Sequence, residues 1–193
     1  YWSEDTYSID SSPASTGHYD VLTGGIISSN ASCEGTREGC VHIGLCGTFT
    51  MNGGIIAGGK RSGIYIDSGK THPLADVRYG HFVMNGGTIA GNANIGVYAP
   101  RTYTGHEGDI GFFMNGGNIL NNRSSYTGGG VNGAIEMYGG LIAYNQAEAY
   151  GGGIFSIADI EIYGGSISHN SAERGGGIYA LSLIHISEPT RPY

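Results

Sequence analysis

Glu136 and Glu161 occupy nearly the same words of sequence, "IEMYGG" and "IEIYGG", 25 residues apart. If those words mark one outward position in consecutive structural units, the two carboxylates stand about 5 Å apart. That separation suits a retaining glycosidase pair, or two ligands for a shared cation such as Ca²⁺. The plainer alternative is two solvated glutamates held at a small repulsive cost. Two longer stretches, "DSGKTHPLADVRYGH" (Asp67 to His81) and "PRTYTGHEGDIG" (Pro100 to Gly111), carry mixed charge. If they leave the body of the protein on one edge in adjacent units, they bring together His72, Asp76, Arg78, His106, Glu107 and Asp109. Loops on a rigid scaffold are where ligands are usually recognised, and mixed charge is also how insertions stay soluble. Tyr65, Tyr98, Phe155 and Tyr179 each follow an apolar residue in matching places, with Asn132 interrupting the series. Such aromatics can stack on sugar rings, or simply favour strand surfaces for packing.

The elements that must position these residues are written into a repeat. The words "VLTGGIISSN", "TMNGGIIAGG", "VMNGGTIAGN", "FMNGGNILNN", "EMYGGLIAYN" and "EIYGGSISHN" recur, their first glycines at Gly24, Gly53, Gly86, Gly116, Gly139 and Gly164. Periods of this size mark repeat architectures. Aligned on the glycines, one column is always isoleucine: Ile27, Ile56, Ile89, Ile119, Ile142 and Ile167. A second column reads Leu22, Met51, Met84, Met114, Met137, Ile162, and a third reads Phe49, Phe82, Phe112, Ile135, Ile160, with Asp20 breaking it in the first unit. A fourth reads Val41, Ile64, Val97, Val131, Ile154, Ile178. The alternation has period two, so the elements are strands, about three per unit.

One such unit cannot bury its inward face, whereas stacked units put Ile on Ile and Met on Met. The spacing predicts an all-β, parallel β-helix of about six coils, a rod of roughly 29 Å at about 4.8 Å per coil. The general preference of parallel crossovers supports the right-handed winding that the family resemblance given below implies. Asn30, Asn92, Asn122, Asn145 and Asn170 share one further position, with Gly59 as the exception. Asparagine tolerates the left-handed backbone of a sharp bend, and stacked asparagines can bond amide to amide along the axis.

Whole-chain totals agree with one domain of 193 residues. Gly 37 and Pro 5 together fall below the share that marks an aperiodic disordered chain. A net charge of −7 with nine Lys and Arg argues against nucleic acid or an anionic membrane as partner. No apolar run approaches the roughly 20 residues of a transmembrane helix. The N-terminus has neither an initiator Met nor a signal-peptide pattern, and residues 1–18 read as an incomplete coil or linker ahead of the repeats at 19–180. Cys33, Cys40 and Cys46 lie close together; a disulfide between Cys33 and Cys40, a metal site with His42, and plain thiols all fit their spacing.

The words "MNGGTIAGN…GVYA" and "ISHNSAERGGGIYA" resemble the repeats of bacterial surface proteins built on a right-handed β-helix. The "N-x-A…GGGIY" half is similar to repeats of polymorphic outer-membrane proteins and autotransporter passenger domains, and the solenoid as a whole resembles the pectin-lyase-like superfamily. The resemblance spans about Tyr19 to Ala180. It implies a secreted or cell-surface location and a stalk or adhesin-like role, with an extracellular glycan or host surface as partner. The alternative it implies is a polysaccharide lyase or glycoside hydrolase; a third is a structural spacer. The paired aspartates, "GHG" and "RIK" of polygalacturonases are missing, "GHEGD" at Gly105 to Asp109 being the nearest, and no resident cofactor is expected beyond Ca²⁺.

After Ala180 the repeat pattern gives way to "LSLIHISEPTRPY", with no glycine pair and two prolines. "LSLIHI" alternates and could lie over the last coil. "LSLIHISEPTRP" nevertheless resembles the in-frame translation of a transposase adapter used in preparing sequencing libraries. Leu181 to Tyr193 are therefore expected to be foreign to the repeat and are set apart from the functional reading.

Overall fold

In each repeat, residues of one polarity point to one side and of the other polarity to the opposite side, as strands require. The computed structural model describes residues 7–9, 19–29, 39–44, 47–67, 80–100, 111–182 and 184–186. Among them there is no helix; the chain winds through three long parallel sheets, and a fourth of two short strands, Arg123–Ser124 and Gln146–Ala147, follows sheet 2 in two coils. Sheet 1 takes the strand before each glycine pair, from Tyr19–Leu22 through Phe112–Met114 to Ile160–Ile162 and Ile184–Ile186. Sheet 2 takes the strand after it, from Ile26–Ser28 through Asn118–Leu120 to Ser166–Ser168. Sheet 3 closes each coil, from Tyr7–Ile9 through Val97–Ala99 to Ile178–Ala180. Every neighbouring pair is parallel and one coil apart, which is a parallel β-helix.

The four apolar columns are the registers of these sheets. Ile27, Ile56, Ile89, Ile119, Ile142 and Ile167 pair in sequence down sheet 2. Met51, Met84, Met114 and Met137 do the same in sheet 1, and Val41, Ile64, Val97, Val131 and Ile154 in sheet 3. Side chains in the middle of the rod are sealed: Ile56, Ile89, Ile119 and Ile142 are all 0% exposed. Each contributes about 1.5–3 kcal/mol by burial. Phe49, Phe82 and Phe112 stack inside, with centroids 5.7 and 5.0 Å apart. Ile184 and Ile186 pair with Ile160 and Ile162 yet stay exposed, because no described strand of sheet 2 faces them at that level. Alternation alone is thus enough to place these three residues on the edge of sheet 1.

The glycine pair has two distinct causes. A Cβ on Gly116 would come within 2.8 Å of the Asn85 carbonyl oxygen one coil below, so the first glycine permits close approach. Gly117 has φ +86°, so the second permits the bend from sheet 1 to sheet 2.

The asparagine column needs a correction. The left-handed residues at the next bend are Ser29, Gly58, Gly91, Asn121, Tyr144 and His169, each one position earlier than the column. Asn92, Asn122, Asn145 and Asn170 lie outside the left-handed region and turn their amides inward. The bend is made by the preceding residue, and this frees the asparagine side chain to replace backbone partners that the corner would otherwise leave unsatisfied. The amide-to-amide pairing itself is present: Nδ2 of Asn92, Asn122 and Asn145 donates to the next Oδ1 at 2.8, 3.0 and 3.0 Å. Asn30 lies outside the described residues.

Candidate functional site

With the interior filled, the outward columns carry whatever chemistry the described residues offer. On sheet 1 the outward column runs Phe113, Glu136, Glu161 and His185 in consecutive coils. Glu136 and Glu161 are direct register partners, as their shared sequence context predicts. Neither carboxylate stands alone. The Tyr138 hydroxyl donates to Glu136 Oε2 at 2.8 Å, and the Tyr163 hydroxyl donates to Glu161 Oε2. The two tyrosine rings stack with centroids 4.9 Å apart and planes 13° apart. Two phenol–carboxylate rungs therefore sit one above the other on the corner between sheets 1 and 2.

These bonds leave a mark on the phenols. Tyr163 is pushed up to about 12, first by its hydrogen bond to Glu161 and then by desolvation and nearby negative charge. Tyr138 is raised for the same reasons, the bond to Glu136 leading. Both hydroxyls stay protonated as donors well above neutral pH. A cation between the carboxylates would have to compete with these donors, and no group of three or more His, Cys, Asp or Glu able to hold a metal occurs among the described residues. Glu136 and Glu161 remain the only pair in this column that could share Ca²⁺ among those residues.

Tyr138 and Tyr163 escaped the sequence reading, although the signal was present. In the word before each glycine pair, Asn52, Asn85 and Asn115 give way to Tyr138 and Tyr163. The three asparagines form an exposed ladder, Nδ2 of Asn85 to Oδ1 of Asn52 at 2.7 Å and Nδ2 of Asn115 to Oδ1 of Asn85 at 2.8 Å. The tyrosines continue that ladder by stacking.

On sheet 3 the aromatic column is in register: His42, Tyr65, Tyr98, Asn132, Phe155, Tyr179. Its members differ in access. Tyr65 is only 6% exposed, whereas Tyr98, Phe155 and Tyr179 are half-buried. Tyr65 and Tyr98 stack at 4.9 Å, and Phe155 and Tyr179 at 6.0 Å, so within each pair the facing surfaces are taken and ring edges point to solvent. The stack breaks at Asn132, whose Nδ2 donates to Thr127 Oγ1 at 2.8 Å. There the polar Asn132 rung separates Tyr98 from Phe155, whose ring also lies 6.4 Å from that of Tyr150. Beside it, Tyr150 lies against Tyr179 at 4.8 Å with the Arg174 guanidinium 5.7 Å from its ring centroid. On the far corner of sheet 2, Tyr144 stacks on His169 at 4.9 Å, both held in the left-handed bend.

His72, Asp76, Arg78, His106, Glu107 and Asp109 lie outside the described residues, as do Cys33 and Cys46. Cys40 is buried and packs at the head of the inner asparagine ladder, its Sγ 3.7 Å from Asn92 Oδ1. No family model matches the chain, and no curated protein or solved structure matches it.

Proposed function

We propose that this chain is part of a secreted or cell-surface bacterial β-helix protein of the autotransporter-passenger or pectin-lyase-like kind, a stiff stalk with an adhesin-like glycan-binding surface. The observation that carries this reading is the break in the aromatic column. Tyr98 and Phe155 stand two rungs apart, about 9.6 Å at the usual strand spacing. We read that polar break as a slot in which a sugar lies against the Tyr98 and Phe155 rings and meets the Asn132–Thr127 pair with a hydroxyl. The rod's role is to hold this slot rigidly, so that little ordering is needed when a glycan enters.

Glycan-array binding is the direct test. Tyr98→Ala or Phe155→Ala should lower binding at least tenfold, and Asn132→Tyr should abolish it by completing the stack. Unchanged binding in all three variants would remove the slot and leave the spacer role. The enzyme reading rests on the in-register Glu136–Glu161 pair, whose strands are about 4.8 Å apart, close to the carboxylate spacing of a retaining glycosidase. Turnover of pectin, alginate or host glycans by the full-length gene product, lost in Glu161→Gln, would establish that reading over simple binding.

A further inference from the structure

The two phenol–carboxylate rungs have a chemistry that sugar binding does not use. Tyr138 and Tyr163 are 50% and 36% exposed, so a soluble oxidant reaches both rings. Their planes are nearly parallel and their centroids 4.9 Å apart, which brings the ring carbons next to each hydroxyl close to those of the partner ring. Each hydroxyl already donates to its own carboxylate, Tyr138 to Glu136 and Tyr163 to Glu161. Each follows directly on a strand, Ile135–Met137 or Ile160–Ile162, and these two strands pair in register, so the rings have no need to search for each other.

We propose that Tyr138 and Tyr163 form a site of dityrosine cross-linking, a covalent tie between consecutive coils made when a peroxidase-class oxidant meets the rod. The chemistry balances. Each phenol loses one electron to the oxidant while its hydroxyl proton moves to the hydrogen-bonded glutamate and on to water. The two phenoxyl radicals couple, forming one carbon–carbon bond between positions adjacent to the oxygens. The hydrogen on each coupled carbon then shifts to its own oxygen and restores both phenols. Two electrons and two protons leave in total, and one hydrogen peroxide takes them up to become two waters.

Other tyrosines make the assignment specific. Tyr65 and Tyr98 stack at the same distance, but Tyr65 is 6% exposed. Tyr126 and Tyr144 are more exposed than Tyr163, but their ring neighbours among the described residues are Tyr150 edge-on and His169. Tyr150 and Tyr179 are 4.8 Å apart, but their planes are 49° from parallel. Among the described residues, exposure, a parallel tyrosine partner and a carboxylate acceptor coincide at Tyr138 and Tyr163.

The test is oxidation of the dilute full chain with a heme peroxidase and hydrogen peroxide, followed by peptide mapping. The expected product is a monomer lighter by two hydrogens, with the dityrosine blue fluorescence, in which the peptides carrying Tyr138 and Tyr163 are joined. Tyr138→Phe and Tyr163→Phe should each abolish that product, and Glu161→Gln should slow its formation several-fold at neutral pH with circular dichroism unchanged. Cross-links spread over other tyrosines, cross-links only between chains, or a fluorescent monomer lighter by two hydrogens that still forms in either Phe variant would overturn the assignment. Neither result depends on glycan binding, which uses Tyr98, Asn132 and Phe155.

Discussion

Asn122 is buried and makes five hydrogen bonds through its side chain and its own N–H. Its Oδ1 accepts from Asn92 N at 3.1 Å and Asn92 Nδ2 at 2.8 Å; its Nδ2 donates to Ile89 O at 3.2 Å and Asn145 Oδ1 at 3.0 Å. Its backbone N donates to Asn145 Oδ1 at 3.0 Å. Removing the amide leaves buried donors and acceptors without partners, at about 1–3 kcal/mol each. Asn122→Ala should therefore cost about 3 kcal/mol or more in urea unfolding. Asn115→Ala, in the exposed ladder, should cost less than about 1 kcal/mol because water replaces the lost bond. Equal costs would mean that the inner ladder is not a sealed network. The phenol rungs give a second expectation. The Tyr163 bond needs the neutral phenol, and its pKa is raised from the ordinary 10 to about 12. Whatever stabilisation it gives is complete below about pH 10 and is lost as pH rises toward about 12. An ultraviolet titration should show one tyrosine ionising near 12, moving back toward 10 in Glu161→Gln; no late-ionising tyrosine would contradict the bond.

At the scale of the element, the inner ladder and sheet 3 are fitted to each other. Gly63, Gly96, Gly130 and Gly153 each lie where a Cβ would come within 2.8–3.0 Å of Nδ2 of Asn92, Asn122, Asn145 and Asn170 respectively. In the one coil where the asparagine is Gly59, the sheet 3 position preceding Val41 holds Cys40 instead of glycine, and its Sγ sits where a Gly59 side chain would go. The two departures compensate. Cys40→Gly alone and Gly59→Asn alone should each destabilise, one by a cavity and one by a clash. Together they should extend the ladder by one rung, with a coupling of about 1–3 kcal/mol in a double-mutant cycle. Additive costs would refute the exchange. This pairing is invisible in the linear sequence because Cys40 lies on a strand of one coil and Gly59 in the bend of the next, and they meet only across the corner. The apolar columns were legible for the opposite reason: burial fixes one face of a strand so firmly that a repeat can be aligned by eye. The left-handed bend was placed one residue late, since asparagine suits both a bend and a ladder. Tyr65 shares the column of Tyr98 and is nonetheless buried, because alternation gives the face of a strand and says nothing about what covers it.

At the scale of the molecule, three sheets stacked in register make a rod in which each coil touches mainly its two neighbours. Such a body is stiff along its axis, and the outward columns are lines of side chains at a fixed pitch. The glycan slot, the phenol rungs and the outer asparagine ladder all depend on that register; a slip of one residue would carry every one of them inside. Outward residues Thr88 and Asn118 are direct partners on sheet 2, whereas Leu120 is two residues further along the same strand. Partners one coil apart have Cα atoms about 4.8 Å apart, inside the range a disulfide spans, and Thr88 to Leu120 exceeds about 7 Å. The decisive measurement is oxidation of Thr88→Cys/Asn118→Cys beside Thr88→Cys/Leu120→Cys, read by non-reducing peptide mapping. The expected result is an 88–118 disulfide in the first and no 88–120 disulfide in the second. Bridging in the second pair but not the first would contradict the in-register parallel β-helix.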